Sequence, residues 1–340
     1  MASVYRDAGL VQGATNHELI KALQRDLRAL GYLRQGIDGE FGAGTHLAVC
    51  RLQHDLLHND GSSTAGDGNA PCAMQGFNGG RVAAIDGVVS AGVADCIADL
   101  LAADVYPKVP SAADGAAANA AAVQLITNNP STVAPTPFML AMFRQESNLR
   151  HYCVPTGANS DNFVTLGLDT KFPEQPNRVT SRGYGLGQFT IFHHPPRPAE
   201  VADFILDPVR NVAKAHTEFR EKFDHFVVAS PPGGADDRRA EHPGEPLRLC
   251  KFPPSDPRFL RDCRACAAEA PRLTIRADTP VIAGSATKYG DQELYHEYPL
   301  TEVPNRAAFE CDWPYAARRY NGSGPLSYNY QSRILRNLVT

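Results

Sequence analysis

No stretch of this chain is apolar for long enough to cross a bilayer, which as a helix takes about 20 residues. The chain also lacks a basic excess. Lysine and arginine together number 33 against 37 aspartates and glutamates, and the net charge is −4. Broad nucleic-acid binding needs a basic stripe, so that class is set aside. The opening residues, MASVYRDAGL, hold neither a basic n-region nor an apolar h-region. The expectation is a chain made in the cytoplasm without a cleaved signal peptide, and without membrane insertion. No H-E-x-x-H run is present, which weighs against a zinc amidase or peptidase. Adjacent His193 and His194 point different ways on an extended or turn segment, so they make a poor chelate. They read as a cleft rim or a plain loop, and no cofactor is implied.

What is present suits a globular protein. Hydrophobic content is 43% and charged content 21%, which is ordinary. The length favours two domains, each able to bury its own core. Near the N-terminus, Thr15-Asn16-His17-Glu18 reads as a capping box ahead of an amphipathic run carrying Leu19, Leu23, Leu27 and Leu30, with Gly31 as its stop. An internal repeat follows. Ile37-Asp38-Gly39 leads to Ala43-Gly44, and Ile85-Asp86-Gly87 leads to Ala91-Gly92 in the same register. Each copy predicts a tight turn into a helix, over Thr45–Leu57 and Val93–Leu101. Leu23, Leu27, Val49, Leu52, Ile97 and Leu100 are the expected core. Between the copies, Asn59–Arg81 is rich in Gly, Ser and Asn and reads as a flexible insertion. Asp104–Ala122 reads as a Pro/Ala linker running into a helix at Ala116–Thr127, with a domain boundary near Val109.

Phe138–Arg150, FMLAMFRQESNLR, places Met139, Met142, Phe143 and Glu146 at i, i+3, i+4 and i+7 after a Pro137 suited to a first helical position. The carboxyl of Glu146 then shares a face with core residues. Loss of hydration there raises its pKa toward the range of a general acid. The competing reading is a helix-rim glutamate paired with Arg144 or Arg150. Farther on, Ser181–Phe189 (SRGYGLGQF) packs glycines around a turn that ends in Gln188, and Ala316–Pro325 (AARRYNGSGP) ends a helical run at Tyr320-Asn321-Gly322. Asp207-Pro208 predicts a helix start, with Val209, Val212, His216, Phe219, Phe223 and Phe226 along one stripe. His216 on that stripe reads as a satisfied core or boundary histidine.

These motifs carry two resemblances. The pattern LQRDLRALGYL…GIDGEFGAGTHLAVCRLQ, over about Thr15–Ala103, resembles the three-helix peptidoglycan-binding domain. A Glu146-Ser147 pair at a helix end, then Gly185-Leu186-Gly187-Gln188, then Tyr320-Asn321 resembles the lysozyme-like lytic transglycosylases and goose-type lysozymes. The second resemblance runs from about Pro137 to Ser323. Family members commonly read G-L-M-Q and A-Y-N at these places. The resemblances imply a mainly α fold: residues 1–106 as a peptidoglycan-binding domain, and 107–340 as an α+β, mostly helical, lysozyme-like domain with an insertion at about 230–305.

They further imply a peptidoglycan-degrading glycosidase that cuts the β-1,4 bond between N-acetylmuramic acid and N-acetylglucosamine. Glu146 is the implied acid. Ser147, Tyr184, Gly185, Leu186, Gln188, Tyr320 and Asn321 are implied substrate contacts, and Asp38, Gly39, Asp86 and Gly87 wall contacts. Asp161 and Asp169 are candidates for a second carboxylate in a hydrolysing enzyme; a transglycosylase needs none. The alternatives are a helical spacer or dimerisation domain in the N-terminal part, a non-catalytic peptidoglycan-binding or assembly protein on the same fold, and a chitinase-like hydrolase. The expected partner is the glycan strand in the wall, for a monomer acting in the target cell's periplasm. The setting is a phage endolysin or an antibacterial secreted effector, the latter with an immunity protein. Cys250, Cys263, Cys266 and Cys311 hold a single C-x2-C pair, so zinc, disulfides and free thiols all stay open, with a cell-wall workplace favouring disulfides. Cys72 and Cys96 are candidates for a further bridge.

Overall fold

Asn16, not Thr15, caps the first helix. Its side-chain oxygen accepts from the Leu19 amide at 3.3 Å, while Glu18 pairs with Lys21 at 3.0 Å instead of closing a capping box. This computed structural model describes residues 3–34, 36–62, 70–128, 136–154, 161–170, 172–223, 272–274, 297–299, 313–322, 330, 333, 334 and 337. That part is mainly helical. The helices are α1 (His17–Ala29), α2 (Ala43–His58), α3 (Ala91–Ala102), α4 (Gly115–Asn128), α5 (Thr136–Ser147), a short α6 (Pro198–Glu200) that continues as a π-turn over Val201–Ile205, α7 (Pro208–Phe223) and α8 (Trp313–Asn321). The chain divides into two compact units. Unit 1 comprises Met1–Gln124 and Arg150–Val212; unit 2 comprises Leu125–Leu149 and Ala213–Thr340.

In unit 1, α1, α2 and α3 close over a core in which all six leucine, valine and isoleucine positions expected from sequence are fully buried. The two IDG turns are held the same way. From α1, the Gln24 side chain donates to Asp38 Oδ1 at 2.7 Å and accepts from the Gly39 amide at 2.9 Å. From α2, Gln53 donates to Asp86 Oδ1 at 2.7 Å and accepts from the Gly87 amide at 2.8 Å. Both glycines have positive φ, +81° and +70°, which only glycine adopts without strain. The sequence carries this symmetry as L-Q-x-D-L at 23–27 and again at 52–56. Replacing either glutamine by alanine strands buried turn groups, so Gln24→Ala and Gln53→Ala should each cost about 2–3 kcal/mol in chemical denaturation. Similar costs at the two positions are expected; a neutral Gln53→Ala would contradict the clamp.

Two segments differ from expectation. Asp104–Ala112 is not a loose linker. Tyr106 is buried and donates to Leu30 O at 3.1 Å, and the Val109 amide bonds Ala29 O at 2.8 Å. Strand β1 (Ser111–Ala112) then pairs antiparallel with β2 (Asn162–Phe163). The described part of the 59–81 insertion is likewise tied down. Met74 is fully buried, Asn59 O accepts the Met74 and Gln75 amides at 2.9 Å each, and a 3-10 turn spans Gln75–Phe77. Tyr106 and Met74 supply apolar anchors that composition alone hides. Among the described residues, Cys50, Cys72, Cys96 and Cys153 are free thiols, so the candidate Cys72–Cys96 bridge is not formed. The Cys96 thiol donates to Phe77 O at 3.3 Å and the Cys72 thiol to Val105 O at 3.8 Å. Cys250, Cys263, Cys266 and Cys311 lie outside the described residues.

The rest of unit 1 is an antiparallel sheet of β3 (Leu166–Asp169), β4 (Ser181–Tyr184) and β5 (Phe189–Ile191). Its apolar face packs Val164, Leu166, Tyr184 and Ile191 with Phe204 and Ile205. In unit 2, Phe138, Met142 and Phe143 of α5 are buried with Phe219 of α7 and Ala316 and Ala317 of α8. Phe138 stacks on Phe219 with centroids 5.7 Å apart, and Phe219 meets Tyr320 edge-on at 6.3 Å. Strands β6 (Arg272–Thr274) and β7 (Glu297–Pro299) pair antiparallel. The remainder of 230–305 and Phe226 lie outside the described residues.

Candidate active site

In unit 2, α5 carries its methionines and phenylalanines into the core, and its period brings the Glu146 carboxyl in behind them. Burial raises that carboxyl to about 7, against a downward pull from the hydrogen bond that Tyr330 donates to Oε1. In place of the competing rim pairing with Arg144 or Arg150, the carboxyl takes a phenol. A neutral donor leaves the carboxyl free to hold its proton near neutral pH, which a guanidinium would oppose. Tyr320 lies within the same electrostatic environment: burial first, then the Glu146 charge, push its hydroxyl well above the usual range. Tyr330 is raised for the same two reasons. Glu146, Tyr320 and Tyr330 are thus brought together. Asn321 is exposed at the end of α8, just before Gly322 at φ +124°. Ser147 turns its hydroxyl back to Phe143 O at 3.1 Å.

His216 stacks on Phe143 with centroids 5.9 Å apart, and its buried Nε2 has no hydrogen-bond partner among the described residues. Burial lowers its pKa to about 4, so the ring is neutral at neutral pH. On the same helix, Glu218 pairs with Lys222 at 2.7 Å.

The G-L-x-Q turn and both candidate aspartates belong to unit 1. Gly185, at φ +68°, faces His151 and Asn211, where a Cβ would come within 2.4 Å of the imidazole. Asn211 holds the turn from two sides, donating to Tyr184 O at 2.7 Å and accepting from the Gly187 amide at 2.9 Å. Gln188, itself at φ +47°, donates from its side chain to Gly185 O at 2.7 Å. Its Oε1 would lie 2.8 Å from a Cβ at Gly167 and 3.0 Å from one at Gly183. The glycines therefore make room for the Gln188 side chain folding over its own hairpin. Tyr184 and Leu186 are fully buried core residues. Asp161 is taken up by Arg25 at 2.5 Å, and Asp169 is exposed on β3, accepting from Ser181 at 3.4 Å. Asp38, Gly39, Asp86 and Gly87 have the intramolecular duty described above.

His193 and His194 lie in the bend after β5, and both are buried. His193 Nε2 meets Glu200 at 2.8 Å, and His194 Nδ1 meets Asp55 at 3.2 Å. Burial lowers His194 to about 4, while nearby Arg182 is fully buried, its guanidinium without a hydrogen-bond partner among the described residues. Burial works to raise the Asp55 carboxyl, and bonds from His194, His54 and Tyr32 outweigh it, holding it below the ordinary value. Sequence reasoning missed Tyr330, Asn211, His151 and Asp55. The repeated L-Q-x-D-L was the available signal for Asp55; Tyr330 had none.

Residues 16–56 match a family model described as "Putative peptidoglycan binding domain". No curated protein and no solved structure matches the chain. The match, which ends within α2, supports a peptidoglycan-binding domain in the N-terminal part of unit 1, with peptidoglycan as partner and association with the cell wall.

Proposed function

We propose that this protein is a peptidoglycan-cleaving glycosidase whose general acid is Glu146, working on the β-1,4 bond between N-acetylmuramic acid and N-acetylglucosamine. The observation that carries the reading is the half-buried Glu146, its carboxyl raised to about 7 and held by the neutral hydroxyl of Tyr330. An acid with that pKa is largely protonated just below neutral pH and can protonate a leaving glycosidic oxygen. Residues 1–106 serve as the wall-binding domain and 107–340 as the lysozyme-like catalytic domain.

Among the described residues Glu146 has a phenol and no second carboxylate beside it, which favours the transglycosylase route over hydrolysis. Asp161 is committed to Arg25, and Glu218 to Lys222. In this route Glu146 first gives its proton to the leaving oxygen. Its carboxylate then takes the proton of the muramoyl 6-hydroxyl as that oxygen closes on C1, returning the acid to its starting state. Mass analysis of fragments from purified sacculi tests this: 1,6-anhydro ends, lighter than reducing ends by one water, are expected. Reducing ends alone would assign hydrolysis instead.

The activity should fall as pH rises through about 7, where Glu146 loses its proton. Tyr330→Phe removes the hydrogen bond that favours the charged carboxylate, so the alkaline limb should move to higher pH. A pH–kcat profile of the two proteins checks the direction; a limb displaced to lower pH would contradict the assignment.

A further inference from the structure

Unit 1 encloses a cavity of about 560 Å³ outside the Glu146 site. Its wall is built from the end of α2 and the residues after it, the 174–180 loop between β3 and β4, and the residues after β5. We propose that this cavity is a second, non-catalytic binding site for an N-acetylated sugar segment of a glycan strand, about a disaccharide long. The proposal rests on the glycan-directed reading above.

The volume falls within the range of small-ligand sites, about 300–1,000 Å³. Phe192 lines the cavity and is 60% exposed, which leaves apolar ring surface that a stacked sugar ring would cover. Around it stand His58, Asp60, Glu174 and Asn177, which together offer both donors and acceptors to hydroxyl and acetamido groups. His193 supplies a buried polar atom. It is 5% exposed, its Nε2 faces Glu200 at 2.8 Å, and its Nδ1 has no partner among the described residues.

The charges select against anionic occupants. Arg178 is engaged, stacked over Phe172 at 4.8 Å and bonded to Gln175 at 3.1 Å. Asp60 and Glu174 would repel a phosphate polymer or the carboxylates of a stem peptide. A neutral, polyhydroxylated ligand meets no such penalty.

The test uses the full chain carrying Glu146→Gln, so that no ligand is consumed. A peptide-free tetrasaccharide of alternating N-acetylglucosamine and N-acetylmuramic acid, its lactyl carboxyls capped as amides so that the ligand is neutral, is titrated by calorimetry, with the histidine ring resonances followed by NMR. Binding should shift the His58 and His193 signals. Adding Phe192→Ala or Asn177→Ala should weaken that binding component by about tenfold, the equivalent of one lost aromatic or polar contact. Unchanged isotherms in both variants, or saturation of those histidine signals by a sugar-free stem peptide, would overturn the site. Because the readout is binding, it stands apart from cleavage. Wild-type protein that leaves sacculi uncut would sink the glycosidase reading alone, and cleavage with unchanged isotherms would sink the cavity alone.

Discussion

Glu146→Gln should lower turnover on isolated sacculi by about 10²–10⁴-fold while the protein still sediments with them. The side chain keeps its shape and its contact with Tyr330 but has no proton to give at any working pH. Wall binding is assigned to other residues, so the loss should appear in kcat and not in attachment. The same substitution has a stability signature that a surface glutamate would not show. The folded pKa is raised above the unfolded value, so the native state holds more protons between about 4.5 and 7. Stability from this group is then fully present below the unfolded value and is lost as pH rises through about 7. The loss is at most about 3 kcal/mol. Wild type should therefore weaken from pH 5 to pH 8 relative to Glu146→Gln. Parallel curves in denaturant would mean that the carboxyl is solvated.

Asp55→Ala should be the most damaging substitution in unit 1, at about 3–5 kcal/mol. Its carboxylate takes the Tyr32 hydroxyl at 2.7 Å and the His194 imidazole at 3.2 Å, and it supplies negative charge near the buried guanidinium of Arg182. Removing it leaves a buried cation with no compensating carboxylate, together with two stranded polar groups. Asp55→Asn, which keeps the size and some hydrogen bonds, should cost less. Equilibrium denaturation of the full chain with both variants measures the difference. A surface-like cost below about 0.5 kcal/mol for Asp55→Ala would show that the network is solvated.

The regular helices were legible because their apolar residues recur at the helical period. Leu23, Leu27, Leu52 and Leu100 were placed correctly on that basis alone. The IDG turns were legible as a repeat, and their glycines do adopt the left-handed backbone that the motif implies. The glutamines that hold their aspartates, Gln24 and Gln53, sit 14 and 33 residues away on helices, so the motif alone does not show that contact. Glu146 was legible as a carboxyl on an apolar face, yet its partner was not. Tyr330 lies 184 positions downstream, with nothing local to mark it. The same holds for Asp55 and His194, 139 positions apart. Tyr106 shows the converse failure: a Pro/Ala-rich neighbourhood reads as a linker, but one buried aromatic is enough to dock it. Pattern reports which way a residue faces within its own element, and burial of distant polar pairs is decided by the packing of elements against one another.

The central claim is that Glu146 cuts glycan. Purified sacculi incubated with wild-type protein or with Glu146→Gln, followed by mass analysis of the soluble fragments, tests it most directly. Fragments ending between N-acetylmuramic acid and N-acetylglucosamine are expected from wild type and absent from the variant. Fragments cut in the stem peptides, no release by wild type, or equal release by both proteins would contradict it.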